Sequence, residues 1–145
     1  MAGRFSGERQ PAMTDLIFFY GTLMSGFRRV GRQRLDPQLK PQGRGSIRGA
    51  LFDLGIYPAA VPASDSRVRG EVYRMTEPES VLSELDDIEG YQPNEPDAGL
   101  YNRVETPVVL DDGGEATAWV YFYNAPLGRA ERIESGDYRE YLKVK

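Results

Sequence analysis

Glycine and proline interrupt this chain so often that little room is left for long helices. There are 16 Gly and 10 Pro in 145 residues, and the apolar runs between them are short. Punctuation of this density around short β-prone runs predicts a strand-rich domain with few helices. Leu16 to Tyr20 (LIFFY), closed by Gly21, reads as a buried strand ending in a turn. Ser46 to Leu54, Arg67 to Met75, Tyr101 to Leu110 and Ala116 to Tyr123 read as further strands, the last two joined by the hairpin signal Asp111-Asp112-Gly113-Gly114. Tyr57 to Pro62 is an extended, proline-braced connection. The Arg-rich stretch from Met24 to Lys40, cut by Gly26, Gly31 and Pro37, reads as a broken helix, and residues 129–145 as a short helix packing on the sheet.

One helix is well specified, from Glu77 to about Glu89. Thr76 and Glu79 form a T-x-x-E capping box, Pro78 fits the first turn, and Gly90 is placed to terminate it. The length suits one domain, expected over residues 15–145. Residues 1–14 read as a flexible leader, in which Met13 is a candidate second start.

Two absences narrow the chemistry. The chain has no Cys and no His, which excludes thiol nucleophiles, thiolate metal sites, imidazole ligands and a Ser-His-Asp triad. A net charge of −4 argues against a general nucleic-acid binder. No apolar run approaches the roughly 20 residues of a membrane span, and the polar start lacks a signal-peptide core, so a cytoplasmic location is expected. Glu84, Asp86 and Asp87 are a poor metal site, because neighbouring helical side chains diverge by about 100°.

On a helical wheel at about 100° per residue, Val81, Leu82, Leu85 and Ile88 define the buried stripe, and Glu89 falls inside it. Burying an unpaired carboxylate is costly, and the negative end of the helix dipole adds to the cost in the last turn. Both effects raise the pKa of Glu89 toward the range useful for general acid/base work. The competing reading is that Glu89 pairs with an arginine such as Arg103, or reaches water through fraying of the helix end. Tyr20-Gly21-Thr22-Leu23, directly after the first strand, offers backbone N–H groups and a hydroxyl that can cradle an anion. The plain alternative is an ordinary strand-ending turn. Arg28, Arg29, Arg32, Arg34, Lys40, Arg44 and Arg48 form a basic run, read as a solvated face, with phosphate or RNA binding as the lesser alternative.

Taken in order, FFYGTLMSG (Phe18 to Gly26), GALFDLGIYPAAV (Gly49 to Val61), VRGEVYRM (Val68 to Met75), ELDDIEGY (Glu84 to Tyr91), LYNRVETPV (Leu100 to Val108) and AWVYFYN (Ala118 to Asn124) resemble the γ-glutamylcyclotransferase-like superfamily, particularly its γ-glutamylamine cyclotransferase branch. The resemblance implies a mixed α/β (α+β) fold around a small, strongly curved, barrel-like sheet with the site at one open end. It implies conversion of a small-molecule γ-glutamyl amine or amino acid to 5-oxoproline and free amine, with no cofactor, metal, nucleic-acid or membrane partner. Glu89, the last residue of Leu85-Asp86-Asp87-Ile88-Glu89, matches the family's catalytic acid/base, and Tyr20, Gly21, Thr22 and Leu23 match its substrate-cradling turn. Tyr101 and Tyr123 are expected as pocket walls. Met24 to Phe27 with the Arg-rich stretch, and Gln92 to Gly99, depart from the family pattern at segments expected to border the pocket. The rival function is a non-catalytic small-molecule or partner-binding module on the same fold.

Overall fold

The strand candidates close on themselves. A computed structural model describes residues 14–92, 94–95 and 99–144. In it β1 (Leu16–Phe19), β2 (Leu39–Arg48), β5 (Arg67–Met75), β6 (Tyr101–Leu110) and β7 (Glu115–Tyr123) form a closed barrel in the order β1-β5-β2-β6-β7. Neighbours run antiparallel except at the closure, where Ile17 of β1 faces Trp119 of β7 in parallel. A second sheet, ordered β4-β3-β8, is built from β3 (Ala50–Asp53), β4 (Pro58–Val61) and β8 (Glu131–Ile133). Three helices complete the described residues: α1 (Val30–Leu35), α2 (Pro78–Glu89) and α3 (Tyr138–Val144).

A barrel of so few strands has no room for a lumen, and side chains fill it. Ile17, Ile47, Val68, Val72, Val108 and Val120 are buried to within 1% of full occlusion. Val81 and Leu85 of α2 join the same core, as the apolar stripe on that helix requires. This packing fixes the helix against the barrel and sets where its last turn emerges.

Several elements differ from the sequence expectation. Leu39 and Lys40, expected at the end of the broken helix, and Pro41 to Gly45, for which no element was expected, belong to β2. Its Pro41, Gly43 and Gly45 mask the pattern, and the chain accommodates them with a register shift between Pro41 and Gly43, where β2 pairs with β5 alone. Helix in the Arg-rich region is confined to α1 and a 3-10 turn at Asp36–Gln38. The capping box at Thr76 and Glu79 is not formed: the Thr76 amide donates to the Gln38 carbonyl, extending the strand pairing, and the helix begins at Pro78 without a side-chain cap. The Tyr57 to Pro62 connection contains β4, and the C-terminal stretch contributes β8 as well as α3. The leader lies outside the described residues up to residue 13, as do residues 93 and 96–98 of the Gln92 to Gly99 segment.

Candidate active site

Gly90 stops α2 in the left-handed region (φ 69°), its amide donating to the Asp86 carbonyl. A side chain at that φ is strained, so glycine fixes the helix end and leaves Glu89 in the final turn. Glu89 points into a pocket of about 540 Å³, measured out to its open mouth. Tyr20, Gly21, Thr22 and Leu23 line the same pocket, together with Arg29, Tyr57, Pro58, Ile88, Tyr101 and Tyr121. The strand end and the helix end, nearly 70 residues apart in sequence, therefore face one cavity.

The loop after β1 is held from several sides. A Cβ on Gly21 would lie 2.8 Å from Pro58 Cγ, so only glycine permits this approach. The Met24 amide closes the turn onto the Gly21 carbonyl at 2.9 Å. Arg32 of α1, a buried residue, donates to the Leu23 carbonyl at 2.7 Å and to Asp36 at 2.8 Å, with its guanidinium 4.4 Å from the Tyr73 ring centroid. Farther along, Glu71 accepts from the Ser25 amide, the Ser25 hydroxyl, Tyr73 and Arg139. Burial acts to raise the pKa of Glu71, but these donors outweigh it and hold the carboxyl below its ordinary value. Among the described residues, the amides of Gly21, Thr22 and Leu23 have no hydrogen-bond acceptor, leaving three donors on a braced turn.

Glu89 has the opposite environment from Glu71. No hydrogen bond or ion pair from a described residue reaches its carboxylate. Burial pushes its pKa up to about 7, against a smaller opposing effect from Arg29. Arg103, the alternative partner considered from sequence, is engaged elsewhere: it donates to both oxygens of Asp86 at 2.8 and 3.1 Å, and Tyr121 donates to the same carboxylate at 2.6 Å. Arg103 also lies over the Trp119 ring at 4.5 Å.

The tyrosines divide into roles. Tyr20 is buried, and its hydroxyl donates to the Tyr121 carbonyl at 2.7 Å while accepting from the Ala60 amide at 3.3 Å, so it ties β7 to β4. Tyr101 lines the pocket with its hydroxyl 3.4 Å from the Pro58 carbonyl. Burial first, and the charge of Glu89 among the other causes, raise the pKa of Tyr20, Tyr101 and Tyr121, so all three remain protonated donors. Tyr123 does not line this pocket. It packs edge-on against Tyr101, with ring centroids 5.3 Å apart, and borders a neighbouring depression.

Arg29 and Arg32 depart from the solvated-face reading of the basic run. Arg29 lines the pocket and donates to the Thr22 hydroxyl at 3.0 Å, and no ion pair to a described residue uses its charge. Sequence reasoning assigned no role to Arg29, Tyr57, Pro58 or Tyr121. The available signal was partial: Tyr57 and Pro58 belong to the GALFDLGIYPAAV segment, whereas nothing in the basic run distinguishes Arg29 from its neighbours.

The chain is similar to known proteins over most of its length. Residues 17–140 match the family described as γ-glutamyl cyclotransferase, AIG2-like. The γ-glutamylcyclotransferase family protein YtfP of Escherichia coli K12 is 34% identical over 125 residues, covering 84% of this chain and 94% of that protein. A Methanocaldococcus jannaschii protein with a provisional γ-glutamylcyclotransferase name is 32% identical over 128 residues, covering 88% and 98% of the two chains. The crystal structure of an AIG2-like protein of Mus musculus superposes with a TM-score of 0.65 at 26% identity, over 87% of this chain and 90% of that one. Since the matched region runs from the first strand into the last helix and takes in the strand-end loop and the Glu89 helix together, the chain belongs to the γ-glutamyl cyclotransferase, AIG2-like family.

Proposed function

We propose that this chain catalyses γ-glutamyl cyclotransfer, releasing 5-oxoproline and a free amine, with Glu89 as the general acid/base. The observation that carries the reading is one carboxylate without a hydrogen-bond partner among the described residues, its pKa pushed up to about 7, sharing a pocket with the donor-bearing Gly21 to Leu23 loop. Near neutral pH such a group is divided between its two protonation states, as a group that takes and then returns a proton must be.

The substrate carries its own nucleophile. Glu89 takes a proton from the α-ammonium; the freed amine attacks the γ-carbonyl carbon, forming the new C–N bond of a five-membered ring. Negative charge collects on the γ-oxygen, within reach of the loop amides in this reading. The bond from the γ-carbon to the departing nitrogen then breaks as Glu89 returns its proton to that nitrogen, and the ring nitrogen's second proton passes through the regenerated Glu89 carboxylate to the released amine, which leaves as its ammonium. Both reacting groups lie in one molecule, so holding the glutamyl chain folded supplies much of the acceleration. Arg29 is the pocket's fixed cation and the natural partner of the substrate α-carboxylate, which its planar fork can bind through two N–H groups. Tyr101 supplies wall and donor, and Tyr20 braces the loop from below.

The test is 5-oxoproline release from a panel of γ-glutamyl amines by wild type and Glu89→Gln. The amide is nearly isosteric with the acid but cannot shuttle the proton. Unchanged turnover in the variant would sink the mechanism. Binding without release by the wild type across the panel would favour the non-catalytic module instead.

A further inference from the structure

The catalytic pocket does not end at its own mouth. At Tyr57 and Leu100 it adjoins a second hollow, of about 530 Å³ measured to its open side, whose lining is completed by Leu54, Ile56 and Tyr123. None of the five lining side chains carries a charge. Ile56 is 85% and Leu100 41% exposed, so two large apolar side chains stand toward solvent beside the catalytic pocket. Single exposed apolar residues are ordinary on protein surfaces; these two share one hollow with Leu54 and the rings of Tyr57 and Tyr123, which gives an alkyl chain a wall to bury against.

The walls are held in place. The Leu54 amide donates to the Tyr57 carbonyl at 3.1 Å, closing the turn that carries Ile56, and the Asp53 carboxylate accepts from the Gly55 amide at 2.7 Å and from Tyr141 at 2.6 Å. Across the hollow, the Leu100 amide donates to the Gly90 carbonyl, and its own carbonyl accepts from the Asn124 amide. Tyr123 is buttressed edge-on by Tyr101. The exposed apolar surface is thus a preorganised shape fastened to both ends of the site: the Gly90 side of α2 and the Tyr101 to Tyr123 end of the β6-β7 pair.

We infer that this hollow is the leaving-group subsite, and that the amine released is one whose chain is uncharged and apolar. The inference rests on the cyclotransferase reading. In that reading the glutamyl half, with its charged amine and carboxylate, occupies the pocket of Glu89 and Arg29. The substituent on the γ-nitrogen must then leave across the junction at Tyr57 and Leu100, where an alkyl or aromatic chain buries itself against Ile56, Leu54 and Tyr123. A chain ending in an ammonium would surrender hydration there with no carboxylate among the described lining residues to balance its charge.

A matched pair of substrates tests this: γ-glutamyl-n-pentylamide and the γ-glutamyl amide of 1,4-diaminobutane, which have the same chain length and differ in a terminal methyl against a terminal ammonium. Wild type is expected to release 5-oxoproline from the pentylamide with kcat/KM at least about tenfold higher, and to gain up to about fourfold per methylene along the methyl-to-pentyl series. Ile56→Asp, at an exposed turn position away from the catalytic groups, should abolish or invert the preference, and Ile56→Ala should reduce it in part. Equal kcat/KM for the two amides in wild type, or a preference unchanged in Ile56→Asp, would overturn the subsite while leaving the cyclotransferase reading intact. No 5-oxoproline from either amide, with a γ-glutamyl amino acid turned over, would overturn the subsite alone; no 5-oxoproline from any γ-glutamyl amine or amino acid would overturn the cyclotransferase reading, and the subsite with it.

Discussion

Asp86 and Glu89 sit three residues apart on α2, and both carboxyl groups are withdrawn from bulk water, yet they have opposite surroundings. Asp86 accepts two hydrogen bonds from Arg103 and one from Tyr121. Glu89 receives none from a described residue, and its pKa is pushed up to about 7. Burial alone therefore does not make a carboxylate reactive. What matters is whether the fold also supplies donors, because donors stabilise the anion and, where none reaches it, desolvation outweighs the more distant charge of Arg29. Asp86 locks α2 to β6 and β7; Glu89, one turn on, has no such bond to a described residue.

Breaking each member of the pair should give different phenotypes. Glu89→Gln is expected to lower 5-oxoproline release by about 10²–10⁴-fold, the range for loss of a general acid/base, with a urea midpoint that does not fall. Asp86→Asn should do the reverse in emphasis. Removing the anion leaves the largely buried Arg103 charge uncompensated, and a loss of about 3 kcal/mol or more in urea unfolding is expected.

The pH dependence of stability sharpens the contrast. The folded pKa of Glu89, about 7, lies above its ordinary 4.5, so between those values the folded chain holds more protons than the unfolded chain. Stability then falls as pH rises through this window and levels off above 7, a change of at most about 3 kcal/mol. Glu71 has the opposite sign: with its pKa held low by its donors, it contributes stability above its unfolded pKa and loses that contribution as pH falls through its folded one. Urea midpoints from pH 5 to 8.5 should decline for wild type and flatten for Glu89→Gln. A wild-type curve as flat as the variant's would remove the basis for a raised Glu89 pKa.

Arg29 provides the smallest of these effects and a separate handle. Arg29→Leu removes the cation that opposes the upward shift of Glu89, so the acid limb of the kcat/KM profile should move to higher pH. Loss of a charge-assisted bond to the substrate α-carboxylate should lower kcat/KM by about tenfold or more, and an α-carboxamide analogue should lose much less. An acid limb that stays in place would separate Arg29 from Glu89.

The strands Arg67–Met75 and Tyr101–Leu110 were legible at both ends because apolar alternation and turn residues mark them locally. The strand Leu39–Arg48 was legible only at its C-terminal end, since Pro41 and Gly43 break the pattern and the partner that rescues it, β5, lies well ahead in the sequence. The capping box failed for a related reason: a local motif at Thr76 lost to a long-range backbone bond with Gln38. In the candidate site, Glu89 stood out on the wheel because a carboxylate in an apolar stripe is a local anomaly. Arg29 and Tyr121 did not, because nothing adjacent in sequence reports that they meet Glu89 and Asp86. Tyr123 was read as a pocket wall from its strand; it packs edge-on against Tyr101 and lines the adjoining hollow, not the pocket of Glu89.

By itself, the sequence narrowed the chemistry, since a chain without cysteine or histidine leaves proton transfer to carboxylates and to groups such as Tyr and Lys, and it marked where the one strong helix ends, although the acid most buried on that helix is Asp86, which the wheel put at the flank of the stripe. Tertiary structure alone decided which acid is left without a partner. That outcome depends on barrel closure bringing Arg103 and Tyr121 to Asp86 while no donor from a described residue reaches Glu89. Helical periodicity is written in neighbouring residues, but a buried charge is stabilised by donors from strands that arrive only when the fold closes.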